Sequence, residues 1–450
     1  MVQSPLQTLL SGRELLLQEI PSIHHDSLQS PDIYTMKAIE HNACRRCGNS
    51  DPRLLARFPH QACGTECLYC RKCIMMGRLS ACSTLYGWGG APLEWDSAEA
   101  KLSWDGVLSP SQAEASKAIV QAVQEKAELL VWAVCGAGKT EMVFAGIEEA
   151  LKDGKRVCIA APRTDVILEL EPRLKAVFPH IPVIALHGQS TEKHAFAPLV
   201  LSTVHQLLRY ADAFDLMIID EVDAFPFSFD PSLQFAAQKA GKKDSTRIYL
   251  TATPSADFQR QFRKGELRGV VLPARFHRKP IPVPEIRWGG NWQKSIRKKQ
   301  IPSSLLSWLA AIIKKQEPFL IFFPHIALMK QALPLFRELS LSIDSVHADD
   351  PVRREKVMKL RGGEIQGLLT TTILERGVTI PKLNVAVIGA ENELFTEAAL
   401  VQIAGRVGRA KEHPAGEAVF FHYGKTEEMM AADRQIKRMN EEARKRGLLD

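Results

Sequence analysis

The run Ala133-Val134-Cys135-Gly136-Ala137-Gly138-Lys139-Thr140 has the residue types and spacing for polyphosphate chemistry. Glycines let successive backbone N–H groups face an anion, a lysine at this spacing reaches the outer phosphates, and the hydroxyl after it can ligate Mg²⁺. Gly136, Ala137, Gly138, Lys139 and Thr140 are therefore expected to hold ATP with Mg²⁺. Asp220 follows Lys139 by 81 positions, at the end of the apolar run Leu216-Met217-Ile218-Ile219. A carboxylate at a strand end suits an Mg²⁺ partner, and the adjacent Glu221 suits the base that polarises an attacking water. Asp223 is expected to tie this site to neighbouring motifs. A different chemistry is concentrated upstream, where seven of the nine cysteines fall between Cys44 and Cys82. Paired CxxC segments in a chain without an export signal favour Zn²⁺ over disulfides.

Two pairings of these thiols remain open on spacing alone. Cys44-Arg45-Arg46-Cys47 and Cys70-Arg71-Lys72-Cys73 are matching CRxC knuckles separated by 22 residues, whereas pairing Cys47 with Cys67 and Cys70 gives a spacer of 19. Zinc ribbons favour the shorter spacer. Cys63 is then left over under either pairing, Cys82 has no obvious partner, and Cys135 and Cys158 read as small buried side chains. Arg45, Arg46, Arg53, Arg57, Arg71, Lys72 and Arg78 can either meet phosphates or balance the charge of a thiolate site.

Positioning these groups requires strands that end in loops. From about residue 104 the text alternates apolar strand, turn and helix: LLVWAV, RVCIAAP, LVLST, LMIIDE and RIYLTATP, then PFLIFFP, DSVHAD, GLLTTT, VAVIGA and EAVFFH. That alternation predicts two parallel-sheet α/β halves. Between them the basic, proline-rich stretch from Ala274 to Pro302 reads as a connector rather than a helix or central strand. The expected organisation is a polar leader at 1–36, a zinc module at 37–95 too small to fold without a metal, a first α/β domain at 104–275, a linker at 276–300 and a second α/β domain at 301–450.

Composition narrows the class. With 58 basic against 51 acidic residues the net charge is +7, which permits a polyanionic partner without requiring one. No apolar run approaches the roughly 18 residues of a membrane span, and the N-terminal stretch carries Arg13 and Glu14 within it. A soluble, cytoplasmic protein without direct membrane insertion is expected.

Further segments fall into an ordered series that resembles superfamily 2 helicases and translocases, whose AxxGxGKT loop matches the alanine at 133. Ala161-Pro162-Arg163-Thr164 and Ser202-Thr203-Val204-His205-Gln206 resemble strand-binding motifs of the first domain, and Thr251-Ala252-Thr253 the motif coupling hydrolysis to movement. Thr370-Thr371-Thr372-Ile373-Leu374-Glu375-Arg376-Gly377 and Gln402-Ile403-Ala404-Gly405-Arg406-Val407-Gly408-Arg409 resemble motifs V and VI. The resemblance implies two tandem RecA-like domains, Gln402, Arg406 and Arg409 in catalysis with both arginines as arginine fingers, and Gln112 within Leu108-Ser109-Pro110-Ser111-Gln112 as the adenine reader.

Within that superfamily the chain is most similar to the ComFA family of competence motors, whose core is related to the primosomal helicase PriA. CRRCGN and YCRKCIMMGR before the motor, LLVWAVCGAGKTEM, PRTDVILELEPRLK, IIDEVDAFP, TTTILERGVTIP and LVQIAGRVGR carry this likeness. It implies that Cys44, Cys47, Cys70 and Cys73 form one zinc site, leaving Cys63 and Cys67 as spares. It also implies single-stranded DNA as the track, proteins of the DNA-uptake machinery and further copies of the chain as partners, and peripheral attachment at the inner face of the membrane through those partners. A PriA-like restart or repair helicase and a slowly hydrolysing ATP-gated scaffold are the rival readings.

Overall fold

The computed structural model describes residues 4–340, 342–376 and 379–450, without the side chain of Ala62. Gly377 of the predicted motif V lies outside the described residues. The chain divides into two compact units, residues 1–108, 113–131 and 140–270 in one, and residues 109–112, 132–139 and 271–450 in the other.

Among the described residues the first large sheet has seven strands: β8 (Glu128–Ala133), β9 (Val157–Ala161), β10 (Val183–Leu186), β11 (Leu199–Thr203), β12 (Phe214–Asp220), β13 (Gly241–Thr251) and β14 (Arg268–Leu272). Their order is β10-β11-β9-β12-β13-β8-β14, and β10, β11, β9, β12 and β13 run parallel. Strands covered by helices on both faces must be apolar throughout rather than alternating. The sequence obeys this: every residue of β9 and β11 is buried.

The second sheet has six described strands, β15 (Glu285–Trp288), β16 (Phe319–Phe322), β17 (Ile343–Val346), β18 (Gly367–Thr370), β19 (Asn384–Ile388) and β20 (Ala418–His422). All pairings in its order β15-β20-β19-β16-β18-β17 are parallel. Two parallel-sheet RecA-like domains are therefore present, as the sequence predicts. The stretch from Ala274 to Pro302 carries regular structure. It supplies the edge strand β15 and a helix, Trp292–Arg297. No proline falls between Pro284 and Pro302, so the intervening residues can pair at a sheet edge, and Asn291 caps the helix by accepting from the Lys294 N–H at 3.0 Å. Trp292 is buried there, its indole N–H donating to Glu391 Oε1 at 2.7 Å.

The described N-terminal residues fold into strands and short helices. Strands β1 (Leu15–Leu16) and β2 (Ile33–Lys37) both pair antiparallel with β7 (Thr84–Trp88). Leu6, Leu9, Leu10, Leu15 and Ile20 close a small core against Tyr86 and Trp88. Residues 4–36 thus pack as part of this folded region. Arg13, buried, donates to the Tyr210 hydroxyl at 3.0 Å, and Glu14 pairs with Lys239 at 3.0 Å. Glu19 lies between Arg46 and Arg209, the latter at 2.7 Å. Burial would raise the Glu19 carboxyl, yet the two guanidiniums hold it below its usual range.

Between these strands sit β3 (Ile39–Glu40), β4 (Ala43–Cys44), β5 (Leu55–His60) and β6 (Thr65–Cys70), with β5 and β6 forming an antiparallel hairpin. The module is docked on the first sheet's own layer. Lys72 bonds to Asp230 at 2.9 Å and Ser232 at 3.0 Å, at the start of the helix Pro231–Ala240. Cys44, Cys47, Cys70 and Cys73 share one buried core with Ala236, Ala237 and Ala240 of that helix.

Candidate active site and metal centre

In an open parallel sheet, loops at the carboxyl ends of the strands form the natural ligand site. The predicted motifs follow β9, β11, β12 and β13, four strands that are parallel neighbours. Arg163 and Thr164 come directly after β9, His205 and Gln206 after β11, Asp220 ends β12, and Thr251 ends β13. Asp223 joins two of these loops. It accepts from the Thr251 hydroxyl at 2.6 Å and the Thr253 hydroxyl at 2.7 Å, and Thr251 Oγ1 in turn accepts the Thr253 N–H at 3.0 Å. This is the link the sequence anticipates between the carboxylate cluster and the coupling motif. Glu221 sits at φ +54°, a left-handed backbone that a non-glycine residue adopts at a cost of about 1–3 kcal/mol. Its N–H donates to Asp220 Oδ1 at 2.8 Å, which holds the Asp220 carboxylate against the Glu221 backbone.

The glycine loop begins where β8 ends, separated from β12 in the sheet by β13. Gly136 and Gly138 take φ of +82° and +75°. A Cβ on Gly136 would meet only the Arg275 side chain, at an ordinary 3.5 Å, so backbone conformation rather than space calls for glycine there. This left-handed turn leading into the helix at Lys139 is the concave backbone that cradles phosphate. The residue types and backbone of this loop therefore fit the polyphosphate of ATP. Thr140 Oγ1 accepts from Arg173 Nη1 at 3.4 Å, and Arg173 pairs with Glu141. Gln112 lies against the loop: its amide donates to the Ala137 carbonyl at 3.0 Å and the Gly138 carbonyl at 3.3 Å, while its oxygen accepts the Ser109 N–H at 2.9 Å.

Motif VI meets the same loop within the second unit. Cys135 Sγ donates to Gln402 Oε1 at 3.0 Å. The helix Glu397–Ala404 ends at Gly405, whose added Cβ would fall 2.5 Å from Cys135 Cβ and 3.0 Å from the Val401 carbonyl. Arg406 follows and is buried at 1% exposure, whereas Arg409 donates through Nε to the Gly405 carbonyl at 3.1 Å. One residue that sequence reasoning missed organises this turn. Arg275, buried, donates to the carbonyls of Val407 and Gly408 at 2.8 Å each and of Gly405 at 3.1 Å, and burial brings its guanidinium down to about 10. His277 adds a bond to the Gly408 carbonyl at 3.0 Å. Their only sequence signal was a basic stretch read as connector.

Gly405→Ala is expected to overpack the contact with Cys135 and destabilise the chain by about 1–3 kcal/mol, with ATP turnover falling several-fold. Thermal unfolding and a steady-state assay measure both. Wild-type values in both would show that the glycine contact does not matter.

The four predicted zinc ligands converge. Gly48, at φ +70°, turns the chain after Cys47, with its N–H donating to the Cys44 carbonyl at 2.8 Å. Cys70 caps the short 3₁₀ helix Arg71–Met76, in which residues i and i+3 eclipse, so Cys73 faces the same way. Sγ separations are 3.7 Å for Cys44–Cys73 and 3.6 Å for Cys47–Cys70. Tetrahedral zinc with Zn–S near 2.3 Å requires sulfurs about 3.8 Å apart. Neighbouring thiols, Cys44 first, hold the Cys70 thiol below its ordinary range and push Cys73 up, and a bound zinc ion would hold all four as thiolates. The alternative pair Cys67–Cys70 is excluded by strand geometry, since residues three apart on β6 point to opposite faces. Cys63 and Cys67, the expected spares, lie with Cys82 and His60 in a second cluster. Several module cations have internal partners: Arg45 with Glu40, Arg46 with Glu19, Arg53 with Asp51, and Arg78 stacked 4.2 Å over the Phe58 ring.

Residues 1–87 match the Competence protein ComFA N-terminal domain, 105–256 the Type III restriction enzyme res subunit, and 303–411 the Helicase conserved C-terminal domain. Competence protein ComFA of Bacillus subtilis (strain 168) is 51% identical over 403 residues, covering 89% of this chain and 86% of that protein. This chain belongs to the ComFA family. Competence protein ComFA of Streptococcus pneumoniae (strain ATCC BAA-255 / R6) is 40% identical, covering 83% of this chain and 86% of the other. Among solved structures, the Mycobacterium smegmatis helicase Lhr bound to ssDNA and AMP-PNP overlays with a TM-score of 0.55 at 16% identity, over 74% of this chain and 48% of that one, which bears on fold alone. A ComFA-family chain with both helicase domains is a competence-associated, superfamily 2 helicase-like ATPase, and those domains imply use of ATP and Mg²⁺. No helix of the described residues is long and apolar enough to cross a membrane.

Proposed function

We propose that this chain is an ATP-driven single-stranded DNA translocase that powers DNA uptake in natural transformation, with a structural zinc ion on Cys44, Cys47, Cys70 and Cys73. The observation that carries the motor reading is Asp223, whose carboxylate holds both threonines of the coupling motif beside the catalytic carboxylates. Asp223 lies two residues after Glu221 in the same loop, so it offers a short route from the carboxylates to Thr251 and Thr253, as a motor needs. When bound, ATP supplies the phosphoanhydride and Mg²⁺ neutralises its charge. Lys139 steadies the outer phosphates, Glu221 orients and deprotonates the attacking water, Gln112 reads the adenine edge, and Gln402, Arg406 and Arg409 complete the site. Loops after β9 and β11 hold the strand mainly by its backbone, so binding weakens steeply with salt.

The family relationship favours competence over replication restart, and it points to proteins of the uptake machinery and further copies of the chain as partners, in the cytoplasm with peripheral attachment at the inner membrane face. Single-stranded DNA should stimulate turnover more than duplex DNA or RNA. In a transformable host, Lys139→Ala should abolish uptake of free DNA while growth and ultraviolet survival stay near normal. Lost viability or repair with transformation intact would instead favour the restart helicase. Slow turnover indifferent to DNA would favour the ATP-gated scaffold.

A further inference from the structure

The hairpin of β5 and β6 pairs from Leu55↔Cys70 to His60↔Thr65 and closes through a short turn, Gln61–Cys63, ended by Gly64 at φ +64°. By ordinary criteria it should be unstable. A two-stranded ribbon needs a packed face, yet no residue of β5 is fully buried, and of its side chains Leu55, at the end away from the tip, packs against the neighbouring core. What the hairpin does have is a metal-ligating residue set at each end. Cys70 belongs to the first four-thiol cluster, while Cys67, on the opposite face of β6, turns away from it.

At the tip, His60 Nδ1 lies 2.9 Å from Cys63 Sγ and 3.5 Å from Cys82 Sγ, and Cys82 Sγ lies 3.3 Å from Cys67 Sγ. All four ligand atoms fall within 4.8 Å of one another. A tetrahedral Cys₃His zinc site, with Zn–S near 2.3 Å and Zn–N near 2.0–2.1 Å, sets S···N at about 3.5 Å and S···S at about 3.8 Å. The His60–Cys82 separation already matches, and the other two need to open by about 0.5–0.6 Å to accept the ion. Its ligands come from the end of β5, the tip, the middle of β6 and the loop beyond, so one ion would tie four points of a fragment that lacks its own core. Cys82 is delivered by the backbone: the Tyr69↔Ser80 bridge and the Ala81 N–H bond to the Leu68 carbonyl at 2.8 Å lay its loop along β6. A disulfide between Cys67 and Cys82 would use two of these groups and leave the approach of His60 and Cys63 unexplained.

We propose that His60, Cys63, Cys67 and Cys82 bind a second structural zinc ion, so that the chain carries two rather than the one implied by its CRxC knuckles. Elemental analysis of the full-length protein purified under reductant should give two zinc ions per chain. Cys82→Ser and, independently, His60→Ala should each reduce this to one, with the hairpin tip newly open to limited proteolysis and the circular dichroism of the remainder retained. Cobalt substitution should distinguish the sites, because Cys82→Ser removes the Cys₃His spectrum and leaves the four-thiolate one. A single zinc ion in the wild-type chain that survives both substitutions overturns the proposal. So does a Cys67–Cys82 disulfide in the reduced preparation.

Discussion

Arg406→Ala should leave nucleotide affinity near normal and lower ATP turnover by roughly 10³-fold or more, the scale on which an arginine at the developing γ-phosphate charge acts. The structure gives this residue a prepared setting. Its turn is held by three carbonyl bonds from Arg275 and one from His277, and the preceding Gly405 packs on Cys135 of the phosphate loop. A guanidinium placed this way loses little conformational freedom when it engages charge, and lysine would not replace it, because an ammonium lacks the planar fork. Arg409→Ala should show the same split between binding and turnover, with a smaller loss, since its Nε is already engaged on the Gly405 carbonyl. Fluorescent-nucleotide binding and kcat at saturating DNA separate the two quantities. Wild-type kcat in both variants would remove the arginine-finger assignment while leaving Lys139 and Glu221 in place.

What the sequence disclosed and what it hid follow from the range of the interactions. LLVWA, LMIID and NVAVI were legible as buried strands because a two-sided environment leaves a local, continuous apolar signature. The glycine loop was legible because its chemistry is contained in eight consecutive residues. The CRxC knuckles were legible as candidates for the same reason, although spacing alone could not choose between Cys67 and Cys73 as the partner of Cys70. Choosing required knowing that residues 65–70 are a strand, which sends Cys67 and Cys70 to opposite faces. The remaining groups depend on partners far along the chain. Arg275 reads as linker until it meets carbonyls about 130 residues later, and Arg13, Glu14 and Glu19 read as a polar leader until Tyr210, Lys239 and Arg209 are beside them. His60 and Cys82 form no local pattern at all, since neither belongs to a CxxC pair.

Cys44→Ser should release the zinc of the four-thiol cluster and unfold more than the module around it. Structural zinc in small modules contributes on the order of 10 kcal/mol, comparable to the whole stability of a typical domain. In a free-standing zinc finger that loss stays local. Here Cys44 lies in one continuous core with Ala236, Ala237 and Ala240, and Lys72, between Cys70 and Cys73, holds Asp230 and Ser232 at the start of the same helix. Gly48 packs on Phe235 of that helix so closely that an added Cβ would fall 2.7 Å from its ring. Loosening the knuckle therefore uncovers a face of the first RecA-like domain and removes the ion pair that helps anchor its helix. Elemental analysis of Cys44→Ser should show one zinc ion fewer than wild type, and calorimetry should show the first domain melting together with the module at a much lower temperature. A strong chelator acting on the wild-type chain should reproduce that shift. Should Cys44→Ser keep its full metal content and its melting temperature, the cluster is not the staple of this module, and its four thiols are only part of an apolar core.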